Sequence, residues 1–166
     1  ELRDDLTAIA EGFDLTHFGS APTKFDVDDL FPLTGRHLQT LAHSALADEI
    51  ALLGIPADLS QQFWAVTREN ITTRHDLAAW WALFSEGADP VIEAEDADFV
   101  VQAMTLLPTG PLDGESWGAW TAAVKAATGR KGRGLFMPLR KALTGQQHGP
   151  DMSAMLPLLQ VIKARS

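Results

Sequence analysis

The stretch TGRKGRGLFMPLRKALTG, residues 128–145, predicts a helix that is framed by glycines and rich in positive charge. Gly129 and Gly145 stand where helices commonly end, because glycine adopts a left-handed cap conformation at little cost. Between them, apolar residues recur at helical spacing, so we predict a helix over about 131–144. Its start is crowded by Arg130, Lys131 and Arg133. Cations are unfavourable at that end of the helix dipole, which indicates a purpose other than helix stability.

The charge of the chain is strongly asymmetric around this stretch. Residues 124–166 hold eight Lys and Arg and a single acid, Asp151, a net charge of about +7. Residues 1–123 hold five basic and 21 acidic side chains, a net charge of about −16. This asymmetry is typical of a domain that meets a polyanion with one end only. A solvated basic helix beside an acidic partner surface explains the charges equally well.

The composition excludes several classes of function. There is no cysteine, and therefore no disulfide framework, thiolate metal site or cysteine nucleophile. No apolar run is long enough to span a bilayer. The glycines fit neither a P-loop nor a dinucleotide-binding pattern, so we predict no catalytic residues. The histidines show no metal-ligand spacing, so we predict no metal site. They are His17, His37, His43, His75 and His148.

Helical periodicity runs along the whole chain, and no segment competes for strand, so we predict an all-α fold. The segment PTGPLDG, residues 108–114, predicts a linker or hinge. Helices are expected after it over about 115–128, 131–144 and 151–164, with Pro157 kinking or restarting the last one. The tryptophans lie on apolar helical faces, which favours core packing over ligand stacking. They are Trp64, Trp80, Trp81, Trp117 and Trp120.

Residues 128–145, followed by Gly149 and Pro150, closely resemble the C-terminal anticodon-binding region of bacterial glutamyl-tRNA synthetase. The shared pattern is a Lys, then Phe-x-Pro-Leu-Arg-x-Ala-Leu-Thr-Gly, then Gly-Pro and a leucine-rich helix. Weaker likeness extends over residues 13–26, which look like the approach from the family's stem-contact fold. Residues 63–78 look like the first helical half of its anticodon-binding domain.

This resemblance implies a division of the chain into three parts. Residues 1–43 would be the tail of the stem-contact region with a junction helix. Residues 44–110 would form the first of two small helical anticodon-binding subdomains. Residues 111–166 would form the second subdomain, which carries the basic RNA-contact stretch.

The resemblance also implies roles for individual residues. Arg140 and the turn of Gly149, Pro150 and Met152 would contact anticodon bases. Lys131 would support the RNA backbone or a base, and we expect Arg133 to bind RNA as well.

The position that reads the third anticodon base departs from the family pattern. Members that reject glutamine tRNA read this base with an arginine in an Arg-Pro-Arg stretch. This chain has Arg68-Glu69-Asn70 there, so Asn70 stands in the place of the reader, although Arg68 or Arg74 could serve instead.

The family's ATP-binding catalytic domain has no counterpart in these residues. Since Glu1 opens the chain without a methionine, we expect a piece of a longer class I ligase that attaches glutamate to tRNA. The parent would use ATP with Mg²⁺, whereas this chain would need no cofactor. Its partner would be a tRNA anticodon stem-loop, and neither DNA nor a membrane. We expect a monomeric, cytoplasmic parent.

Two other interpretations remain open at this point. The chain could be a helical protein-interaction module whose basic end docks an acidic partner, or a free-standing regulator that kept the RNA-binding fold. Binding to anticodon stem-loops separates the first alternative from the ligase interpretation. An ATP-binding domain encoded upstream separates the second from it.

Overall fold

The computed structural model describes residues 6–17, 19 and 26–165, and within these ranges the chain is helical and contains no β-strand. The all-α prediction is confirmed. The α-helices of the described residues are α1 Leu6–Glu11, α2 Leu30–Thr40, α3 Ala47–Leu52, α4 Ala57–Thr67, α5 Asp76–Glu86, α6 Ala97–Thr105, α7 Ser116–Thr128, α8 Arg133–Thr144 and α9 Met152–Met155. Residues 21–25, part of the stretch likened to the stem-contact approach, lie outside the described residues.

Short 3₁₀ turns connect several of these helices. They cover Leu15–His17, Val27–Asp29, His43–Ala45, Arg68–Asn70, Ala94–Asp96, Leu156–Leu158 and Lys163–Arg165. None of the helices in the described part of the chain is long and apolar enough to cross a membrane.

Glycines bound α8 as the sequence predicts. Gly132, with φ +55°, precedes its first residue, and Gly145, with φ +67°, follows its last. The amide of Gly145 donates to the carbonyl of Lys141 at 2.9 Å, which satisfies one of the last carbonyls of the helix. Gly129 ends α7 in the same left-handed conformation, with φ +72°. The helix begins at Arg133, two residues later than predicted.

The helix predicted over 151–164 is wrong in its extent. It starts as expected, because the Asp151 carboxylate accepts from the amides of Ser153 and Ala154 at 2.9 and 3.2 Å. However, α9 is followed directly by the 3₁₀ turn that contains Pro157, whose missing N–H cannot continue a helix. The chain is then held by tertiary contacts, since the amide of Gln160 donates to the carbonyl of Phe84 at 2.8 Å.

One continuous cluster of buried side chains joins the two predicted subdomains. Phe63 and Phe84 from the first half share it with Trp120, Leu135 and Leu156 from the second. Helix α6 packs on both α7 and α8. The divisions at 43/44 and 110/111, and the linker at 108–114, therefore stay predictions.

The prediction that the tryptophans pack in the core is confirmed for three of them, and the other two are half-buried against it. Trp64, Trp80 and Trp120 are buried, and Trp81 and Trp117 lie at the edge of the cluster.

A matched pair of glycine substitutions tests how closely the chain packs at the end of α8. A Cβ on Gly145 would lie 2.9 Å from the carbonyl oxygen of Asp89, whereas one on Gly129 would meet nothing within 4 Å. Gly129→Ala should cost about 1–2 kcal/mol from backbone strain alone. Gly145→Ala should cost roughly 1–3 kcal/mol more, because the backbone of Asp89 has to shift. Urea unfolding of both variants measures the difference, and equal losses would contradict the close approach.

Candidate nucleic-acid interface

Three of the basic residues after position 124 are paired with one acidic segment, residues 89–96. Asp89 binds Lys163 at 2.8 Å, Glu93 binds Lys141, and Asp96 binds Arg130. The segment connects α5 to α6 and lies along α8. The basic end of the chain is therefore partly neutralised by the chain itself, and the acidic partner surface considered from the charges is in part intramolecular.

Lys141 is the most buried of these three cations. Its side chain is only 11% exposed, and its ammonium group binds the carboxylate of Glu93. Its carbonyl oxygen accepts from the amides of both Val91, at 3.1 Å, and Gly145, at 2.9 Å. A buried charge is tolerated when it is paired and hydrogen-bonded. Lys141 therefore fixes the acidic segment to α8 rather than facing RNA.

Arg130 also supports the fold. Its guanidinium group lies 4.0 Å from the centre of the Phe99 ring and binds Asp96. It also donates to the carbonyl of Gly134 at 3.3 Å. That carbonyl would normally accept from the amide four residues later, but Pro138 has no N–H. Arg130 therefore supplies the donor that the proline lacks.

Lys131 and Arg133 are placed differently from Arg130. Both side chains are exposed, at the turn before α8 and at its first residue. Within the described residues, neither pairs with a carboxylate. The two cations are therefore available to a phosphate, which is the group that dominates affinity for nucleic acids.

Arg140 is hydrogen-bonded to the turn at Gly149 and Pro150, which the family resemblance placed in the same site. Its Nη2 donates to the carbonyl of Pro150 at 2.8 Å. Burial lowers the pKa of the Arg140 guanidinium, and the neighbouring carboxylate of Asp151 acts in the opposite direction. Pro150 is buried, and the Met152 side chain is only 3% exposed.

Asn70 lies close to this turn, although it is distant in sequence. It is exposed and ends the 3₁₀ turn after α4. Its carbonyl accepts from Nε1 of Trp80 at 3.4 Å. A Cβ on Gly149 would lie 3.2 Å from Cη2 of the same indole and 3.4 Å from Nη1 of Arg140. Trp80 thus lies against both Asn70 and Gly149, and Arg140 lies beside Gly149.

The loop that follows Asn70 is fixed by Asp76, the first residue of α5. Its carboxylate accepts from the amides of Thr72, at 2.8 Å, and Thr73, at 2.9 Å. These hydrogen bonds lower the pKa of Asp76. A carboxylate at the first turn of a helix is also favoured by the helix dipole. The polypeptide around Asn70 is therefore anchored at its C-terminal side.

The predicted site residues form two groups rather than one. Asn70 and Gly149 lie against Trp80, and Arg140 lies beside Gly149 and donates to Pro150, two residues before the buried Met152. Lys131 and Arg133 lie toward the start of α8, about 10 Å along the helix axis from Arg140. Among the described residues, no cluster of three or more acidic or histidine side chains is placed to hold a metal ion.

Sequence reasoning missed the role of Trp80 and the acidic segment. The sequence predicts Trp80 in the core, where it lies, but no spacing indicates that its indole touches Asn70 and Gly149. The placement of Pro138 four residues after Gly134 could have suggested an outside donor for that carbonyl, although not which one.

Comparison with known proteins defines the class of this fold. The sequence profile of the family described as the anticodon binding domain matches residues 41–163. The chain belongs to that family.

Several curated relatives of the chain carry a more specific name than the family does. The chain is 64% identical over 165 residues to glutamate–tRNA ligase 1 of Ruegeria pomeroyi, covering 99% of this chain and 37% of the relative. It is 60% identical to glutamate–tRNA ligase 1 of Roseobacter denitrificans, with the same coverage. It is 61% identical over 157 residues to glutamate–tRNA ligase 2 of Cereibacter sphaeroides strain ATH 2.4.9, covering 95% of this chain and 36% of the relative. The chain thus spans little more than a third of the length of these curated relatives.

Two acid-to-alanine variants test whether the acidic segment stabilises the fold through Lys141. Glu93→Ala leaves the buried Lys141 ammonium unpaired, so it should destabilise the chain by about 1–3 kcal/mol. Asp89→Ala removes an acid that is 93% exposed from a lysine that is 41% exposed. That surface pair should contribute much less, because water screens both charges. Urea unfolding at neutral pH compares them, and a larger loss for Asp89→Ala would overturn this ranking.

Proposed function

We propose that this chain binds the anticodon stem-loop of a tRNA, and that the longer protein of which it is part attaches glutamate to tRNA with ATP. The observation that carries the proposal is that Trp80 lies against both Asn70 and Gly149, with Arg140 beside Gly149, in a chain of the anticodon binding domain family. The names of the relatives support glutamate as the amino acid.

In this proposal, the turn at Gly149 and Pro150 presents backbone groups and Arg140 to the unstacked anticodon bases. RNA sequence is read mainly from such splayed bases, by stacking and by hydrogen bonds to their edges. Because Arg140 already donates to Pro150 through Nη2, its Nη1 edge is the part that would meet a base. Because the side chain of Met152 is buried, it would support the turn from below the surface. Only the backbone of Met152 would then contact an anticodon base.

Lys131 and Arg133 would contact phosphates next to these bases. Both side chains are exposed and have no carboxylate partner in the part of the chain that the structure describes, which supports this role because both charges can displace counterions. Arg130 and Lys141 are engaged by Asp96 and Glu93, so we exclude them from the RNA contact.

The remaining chemistry of the proposed ligase would lie outside this chain. ATP and Mg²⁺ would bind the parent's catalytic domain, and the parent would act as a cytoplasmic monomer. A protein-interaction module and a free-standing RNA-binding regulator remain the competing functions. Failure to bind any anticodon stem-loop would favour the former, and a parent lacking an ATP-binding domain would favour the latter.

The binding test uses the chain and a glutamate anticodon stem-loop at several salt concentrations. We expect weak binding whose logarithm falls steeply with the logarithm of salt. Removing both free cations by Lys131→Ala with Arg133→Ala should make the slope shallower by roughly 0.7–0.9 for each phosphate that the chain no longer neutralises. Lys163→Ala removes one cation that Asp89 already pairs, and should leave the slope unchanged. An unchanged slope in the double variant would remove Lys131 and Arg133 from the interface.

A second test concerns Asn70 and the third anticodon base, which is C in glutamate and G in glutamine anticodons. Asparagine offers both a donor and an acceptor, whereas arginine offers donors only. We therefore expect the parent to discriminate poorly between the two tRNAs. Because family members that reject glutamine tRNA carry arginine at this position, Asn70→Arg should introduce a preference for C worth roughly 1–3 kcal/mol, the size of one bidentate base contact. Competition between the two stem-loops measures it. A strong preference that survives Asn70→Ala would remove Asn70 from this role.

A further inference from the structure

We infer that Trp80 is a positioning residue that links the two parts of the proposed anticodon site, so that reading by the 149–150 turn and by Asn70 depends on one indole ring. This inference rests on the proposed function, because it concerns how the same site is built. Nothing in the sequence pattern of residues 128–150 includes Trp80, which belongs to α5 in the other half of the chain.

The first contact is polar and fixes Asn70. The indole Nε1 donates to the carbonyl oxygen of Asn70 at 3.4 Å, across ten residues of sequence. Asn70 is exposed and ends a single 3₁₀ turn, so this hydrogen bond holds its backbone from the core side. Asp76 anchors the loop only beyond Asn70, at Thr72 and Thr73. Without the indole N–H, the carbonyl of Asn70 would lose its hydrogen bond to the core, while the hydrogen bonds at Thr72 and Thr73 would remain.

The second contact is steric and fixes the turn. The far edge of the same indole, Cη2, lies 3.2 Å from the position of a Cβ on Gly149. Gly149 has φ +145°, a conformation that L side chains rarely adopt. Glycine thus lets the turn close onto the ring. Arg140 lies within 3.4 Å of the same point and donates to Pro150. The turn at Gly149 therefore packs against the ring and carries the guanidinium group of Arg140 beside it.

Core packing restrains the indole ring of Trp80, so a shift on one side of the ring affects the residue on its other side. Trp80 is buried, and its ring centre lies 6.0 Å from that of Phe84 in the core. Side chains in close-packed protein interiors have little freedom to shift. A displacement at Gly149 would therefore reach Asn70 through the ring, and the reverse holds as well. The two groups that read different anticodon bases would respond together.

The decisive variant is Trp80→Phe, which removes both the N–H donor and the ring edge that faces Gly149. Its matched control is Trp64→Phe. Trp64 is also buried, and its Nε1 donates to the carbonyl of Leu41 at 3.2 Å, away from the proposed site. Both variants lose one indole hydrogen bond to a backbone carbonyl. If Trp80 only stabilises the fold, Trp80→Phe and Trp64→Phe should have the same effect on RNA binding.

The readout is the ratio of affinities for two stem-loops, one with the glutamate anticodon and one with its second and third anticodon bases replaced. Trp80→Phe should shrink this ratio by about two- to tenfold, the effect of one hydrogen bond. Trp64→Phe should leave the ratio within about twofold of the wild type. An unchanged ratio in Trp80→Phe overturns the inference. A wild-type chain that binds both stem-loops equally overturns the proposed function instead.

A second variant keeps the inference testable if Trp80→Phe fails to fold. Gly149→Ala would push against the ring and the guanidinium group, and should also shrink the ratio. Gly54→Ala is its control, since Gly54 has φ +76° but no atom within 4 Å of an added Cβ. A ratio that stays unchanged in folded Gly149→Ala overturns the inference on its own.

Discussion

The buried ammonium group of Lys141 is the interaction on which the surrounding structure depends. It brings Glu93 against α8, while its own carbonyl receives the amides of Val91 and Gly145. One residue thereby fixes the acidic segment 89–96, the end of α8 and the start of the loop that leads to Gly149. Taking such a charge out of water is costly unless its partners are in place. The turn at Gly149 therefore depends on the packing of residues 89–96 against the end of α8.

That arrangement divides the basic residues by task. Arg130, Lys141 and Lys163 hold the acidic segment, whereas Lys131 and Arg133 stay exposed. A net charge counted along the sequence makes no such distinction. The RNA-facing potential of this end is therefore smaller than the composition suggests, and it is concentrated before α8.

Local features were predictable because their causes are local. The glycines at 129 and 145 end helices through their own backbone freedom. The last helix was predicted too long, because the periodicity of its leucines indicates burial without specifying continuous helix. The proximity of Asn70 to Gly149 and the pairing of Glu93 with Lys141 depend on tertiary packing. No spacing in a single sequence encodes either one.

The three ion pairs of the acidic segment join residues 34, 48 and 74 positions apart, and in each pair the acid comes first. During synthesis the acids therefore leave the ribosome before the cations that neutralise them. Residues 1–123, which are made before residues 124–166, carry a net charge of about −16. Such a segment is repelled by the ribosome's own RNA. The order of residues along the chain thus delays attraction to RNA until the domain can fold around its cations.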